Sequence, residues 1–85
     1  MEKTLSASQR QNTDLNKYNW VIVSDSSNDV LFFKSDAKYN KELEKWYKEF
    51  GEPFVTGAHI STVPEGFNSL KDLPYYKTKR FVIIS

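Results

Sequence analysis

Tyr18–Lys34 reads Tyr-Asn-Trp-Val-Ile-Val-Ser-Asp-Ser-Ser-Asn-Asp-Val-Leu-Phe-Phe-Lys, and the fold turns on it. Two runs rich in aromatic and β-branched residues, Tyr18–Ser24 and Val30–Lys34, flank the polar stretch Asp25–Asp29. Asp, Asn and Ser side chains bond their own backbone and favour turns. Two such runs across a short polar loop predict a β-hairpin. Each run is also apolar without interruption. In Trp20-Val21-Ile22-Val23, in Val30-Leu31-Phe32-Phe33 and in Phe81-Val82-Ile83-Ile84, apolar side chains must point to both sheet faces, because successive residues alternate sides. Continuous apolar strands belong to sheets covered on both faces.

Working outward, Ser35 or Asp36 offers an N-cap, and a helix is predicted from there to Phe50. Tyr39, Leu43, Trp46, Tyr47 and Phe50 share one helical face at about 100° per residue. Gly51 suits the position just past the helix, and Pro53 forbids continuation. Phe54–Thr62 reads as extended, with Gly57 at a bulge or a close approach. Val63–Gly66 fits a type I turn. Ser69–Leu73 reads as a single helical turn ended by Pro74. Tyr75–Ile84 is expected as the last strand. Met1–Lys17 holds only Leu5 and Leu15 as large apolar side chains, and so is expected as a flexible tail before a single α+β domain at 18–85. The predicted fold is α+β: a three- or four-stranded, mainly antiparallel sheet with one packed helix, in the order β-β-α-β-β.

One helix covers one face. The other needs residues 52–74, a second copy of the chain, or a different partner. This count predicts a homodimer through the sheet face or edge. An apolar strand at Phe81–Ile84 adds to that expectation, since a bare apolar edge invites aggregation.

Composition narrows the chemistry. The chain has 85 residues, 12 Lys plus Arg against 11 Asp plus Glu, a formal charge of +1, one His and no Cys. That length leaves no room for a doubly wound nucleotide-binding unit or a barrel enzyme. Without Cys there is neither a disulfide scaffold nor a thiolate zinc site. The three glycines stand apart and form no phosphate-cradling run, so no nucleotide cofactor, and no cofactor of any kind, is expected. The first 17 residues lack the apolar core of a secretion signal, and the longest apolar run is far short of a membrane span. A soluble, cytoplasmic protein with no membrane association is the expectation.

His59 is the single histidine. Ser61 and Thr62 lie near it in sequence, but nothing in the sequence fixes a nucleophile–base geometry. One His and scattered carboxylates make no metal-ligand spacing. Asp25 and Asp29 frame the hairpin loop without the length, central Gly or closing Glu of a calcium loop, and read as turn residues.

The basic residues carry more information. Lys38, Lys41, Lys45 and Lys48 recur at i, i+3, i+7 and i+10, within an arc of about 80° nearly opposite the apolar stripe. Such a row is either a solvated helix face or a ridge that displaces counterions from nucleic acid. A second cluster, Tyr75, Tyr76, Lys77, Lys79 and Arg80, places aromatics beside cations, a combination suited to single-stranded RNA. Its alternative role is a charged strand edge that blocks mispairing.

The functional expectation is a non-enzymatic binding protein that engages RNA or a ribonucleoprotein through these nine residues. The alternative is a small inhibitor or adaptor that grips one protein through the open sheet face or the tail, of an antitoxin-like, immunity-like or phage counter-defence kind. A weaker alternative is a small ribonuclease using His59 with Glu52 or Glu65 and Arg80.

Overall fold

The computed structural model describes residues 2–62 and 74–85. Five strands form one sheet: β1 (Glu2–Thr4), β2 (Trp20–Ser24), β3 (Asp29–Phe33), β4 (Val55–His59) and β5 (Arg80–Ile84). Their spatial order is β1-β5-β3-β2-β4. The β2–β3 hairpin forms as expected, with Trp20 opposite Phe33 and Ile22 opposite Leu31. β4 runs antiparallel to β2 and β1 antiparallel to β5, while β5 lies parallel to β3, with Arg80 beside Asp29 and Ile84 beside Phe33. The sheet is therefore mixed and carries one strand more than the sequence suggested. The fold class is α+β, with a single long helix, α2 (Asp36–Phe50). Among the described residues no helix is long and apolar enough to cross a membrane.

α2 begins where its capping residue dictates. The Ser35 hydroxyl accepts from the Lys38 amide at 3.3 Å. It ends at Gly51, whose φ of 94° lies in the region that favours glycine. Its apolar stripe covers the face built by Ile22, Leu31, Phe33, Val55 and Val82, with Tyr39 and Trp46 buried and Leu43, Tyr47 and Phe50 packed alongside. Gly57 is a site of close approach. A Cβ there would lie 2.5 Å from the Tyr39 hydroxyl and 2.8 Å from Leu43. The Tyr39 ring stacks on Trp20 at 4.4 Å between centroids, and the Trp20 indole N–H donates to Asp36.

The opposite face overturns the count of covers. Val21, Val30, Phe32, Phe81 and Ile83 are buried there among Leu15 and Ile60, with Leu5, Tyr18 and Tyr76 packed against them. Residues 2–17, expected as a tail, are built into the fold instead. β1 pairs with β5, Ser6 caps a short helix, α1 (Ala7–Asn12), and Leu15 is fully buried. The Ser6 cap is reciprocal: its hydroxyl accepts from the Gln9 amide while the Gln9 side chain accepts from the Ser6 amide. Of its two leucines, Leu15 joins the buried cluster of this face and Leu5 packs against that cluster. The cover expected from residues 52–74 or from a second copy is thus supplied, among the described residues, by the N-terminal segment with Ile60 and Tyr76. Among the described residues, the count of covers therefore no longer argues for a second copy on this face.

Three further expectations shift. The extended stretch 54–62 narrows to β4, between short 3-10 turns at Glu52–Phe54 and Ile60–Thr62. Pro74–Lys77 is a helical turn, so the last strand starts at Arg80 and not at Tyr75. The turn at Val63–Gly66 and the helical turn at Ser69–Leu73 fall outside the described residues.

Candidate nucleic-acid interface

The lysine row stands where its period placed it. Lys38, Lys41, Lys45 and Lys48 are all exposed on the outer side of α2, away from the sheet. From Lys38 to Lys48 the row runs about 15 Å at 1.5 Å per residue. Glu42 and Glu49 flank it on one side and Glu44 on the other, given about 100° per residue. Lys45 lies 3.8 Å from Glu42, an exposed pair that holds the ammonium only loosely. Lys38 donates to the Ser85 main-chain oxygen. The row therefore combines a tethered end at Lys38 with exposed ammonium groups on the next three turns.

The C-terminal cluster is arranged differently. Lys79 is 7% exposed, and its ammonium donates to two main-chain carbonyls of the hairpin, Ser24 at 3.0 Å and Ser27. It is an internal clamp on the β2–β3 turn. Arg80 is exposed, but its Nε donates to Asp29 at 2.7 Å and its amide donates to the Asn28 carbonyl, also at 2.7 Å. Asp29 is thereby explained as a partner of Arg80, and its amide donates to the Ser27 hydroxyl. Tyr76 is half-buried against the core, and burial, with Asp25 nearby, pushes its hydroxyl pKa up. Tyr75 stands on the helical turn Pro74–Lys77. Lys77 is exposed and lines a shallow cleft with Ala7, Arg10 and Gln11.

The sheet separates the two groups. α2 covers the face that carries Ile22, Leu31 and Val82, whereas Tyr76 and α1 cover the face that carries Val30, Phe32 and Phe81. The lysine row and Lys77 consequently look out from opposite sides of the molecule. Of the eight candidates whose side chains are described, the four on α2 stand together on one exposed helix face.

Arg10 escaped the sequence reading. Its guanidinium donates to the Lys79 carbonyl at 2.8 Å and to the Tyr76 carbonyl, and sits 3.7 Å from the centre of the Phe81 ring. A planar fork suits two carbonyls and a ring face together, which an ammonium does not. The available signal was compositional: ten Lys stand against two Arg, and both arginines serve fixed geometry.

The ribonuclease constellation is not assembled. His59 is paired with Trp20, while Arg80 lies at the other end of the sheet beside Asp29. Glu52 precedes β4 at that same far end, and the four strand steps from Val55 to His59 alone span about 13 Å. Glu65 lies outside the described residues. The His59 Nδ1 accepts from the Ser61 amide at 3.2 Å and lies 2.7 Å from the Ser61 hydroxyl, a local turn two residues long. The ring also packs nearly perpendicular to Trp20, with 4.9 Å between ring centroids. No cluster of metal-ligating side chains occurs among the described residues.

No family model matches the chain, and neither a curated protein nor a solved structure matches it. The functional reading therefore rests on this geometry alone.

Proposed function

We propose that this chain is a non-enzymatic binding protein that engages RNA through the phosphate backbone, using Lys38, Lys41, Lys45 and Lys48. The observation that carries the reading is the exposed, aligned row on the outer face of α2. Cations in register with a phosphate line release its condensed counterions, and that release drives binding. A formal charge of +1 predicts weak binding overall, confined to the one surface where positive charge is concentrated.

Both sheet faces are filled from within the chain, which supports a single copy as the binding unit. The expected solution mass at micromolar concentration is that of one 9.9 kDa chain. The deciding experiment is RNA affinity at low salt for the chain and for the double variant Lys41→Glu/Lys45→Glu. Both sites are exposed on the helix, but the new carboxylates face Glu42, Glu44 and Glu49 at helical spacing, so the variant should stay folded with an unfolding temperature lower by a few degrees. It should bind at least tenfold more weakly. Equal binding by the two proteins overturns the proposal.

A further inference from the structure

We infer that the α2 ridge reads the phosphate line of RNA without reading its bases, so that duplex RNA binds as well as single-stranded RNA of any sequence. This rests on the reading just proposed and sharpens it. Sequence-tolerant capture of single strands normally uses aromatic rings on which bases stack, beside a basic groove. On α2 itself the rings and the cations are parted. Every aromatic residue of α2 lies in the stripe that faces the sheet, with Tyr39 and Trp46 buried and Tyr47 and Phe50 packed against that core. The acidic side chains that flank the lysine row are Glu42, Glu44 and Glu49, which accept hydrogen bonds and repel phosphate.

In the segment that joined tyrosines to cations in the sequence, the side chains described, from Tyr76 to Arg80, supply no platform for this ridge. Tyr76 packs on the far face, and Lys79 is spent on the Ser24 and Ser27 carbonyls. What remains is a line of ammonium groups about 15 Å long. Its acidic flanks confine contact to a single phosphate strand. Such a line makes about three phosphate contacts beyond the tethered Lys38. The affinity should then fall with salt at a log–log slope of about −2 for single strands and about −3 for a duplex.

The test is fluorescence anisotropy of the full chain against a labelled 20-nucleotide RNA, the corresponding 20-base-pair RNA duplex, and the A, U and C homopolymers, each across a salt series. Affinities within about threefold across all five at the lowest salt, where the comparison is made, with the slopes above, support the inference. A tenfold preference for single strands over duplex, or for one homopolymer over another, overturns it while leaving backbone binding by the ridge intact. Binding to none of the five at low salt overturns the underlying reading as well. Lys41→Gln/Lys48→Gln provides a milder variant, expected to weaken every ligand by the same factor and to lower each slope. A loss confined to single strands counts against the inference.

Discussion

One face of the sheet is covered by a single 15-residue helix, whereas the other is covered by side chains drawn from residues 5 to 18, from Ile60 and from Tyr76. The first cover is periodic, continuous and capped at its start by Ser35. The second is a patchwork held in place by main-chain pairing at β1 and by Arg10. Among the described residues, the second face is sealed without a second long amphipathic helix. A few large side chains are enough when backbone bonds and one guanidinium hold them in position.

The largest expected effect tests the patchwork itself. Leu15→Ala should lower stability by about 2–5 kcal/mol in urea unfolding, the cost of an ordinary core leucine. A loss below about 0.5 kcal/mol would show that residues 2–17 do not seal this face. Next comes the clamp that braces the hairpin from the C-terminal side. Lys79→Met keeps the apolar stem but leaves the Ser24 and Ser27 carbonyls without the ammonium, and should cost about 1.5–3 kcal/mol. A neutral result would make Lys79 a surface cation after all. On the helical face, Gly57→Ala drives a methyl into the Tyr39 hydroxyl, and Tyr39 is held by its stack on Trp20. About 1–2 kcal/mol is expected from thermal unfolding, as for other overpacked sites. The smallest effect belongs to the regular cover: Ser35→Ala removes one cap and should cost about 1 kcal/mol. If Ser35→Ala outweighs Leu15→Ala, the ranking of the two faces is reversed.

These elements differ as much in how visible they were in the sequence. The hairpin, the helix from Asp36 to Phe50, the close approach at Gly57 and the lysine row were all readable, because each rests on period, turn chemistry or capping. β1 was not. Glu2, Lys3 and Thr4 are exposed, and their place comes from main-chain bonds to β5, which leave no mark on side-chain pattern. The N-terminal cover left two faint signs, the Ser6–Gln9 capping box and the isolated Leu15, and neither reveals what it packs on. Lys77, Lys79 and Arg80 look alike as text. Only the fold separates an exposed cation from a buried clamp and an ion-paired guanidinium.

The place of β5 between β1 and β3 has a consequence for how the chain is made. Ile84 pairs with both Glu2 and Phe33, so the sheet cannot close on a ribosome until residue 84 has left the exit tunnel. At about 5–20 residues per second, the roughly 50 residues after β3 take several seconds to emerge. Through that interval Val30 and Phe32 lack the strand that will shield them. Pairing β3 with β5 across such a sequence distance must close a long loop before it is rewarded, which makes this step slower than formation of the local hairpin.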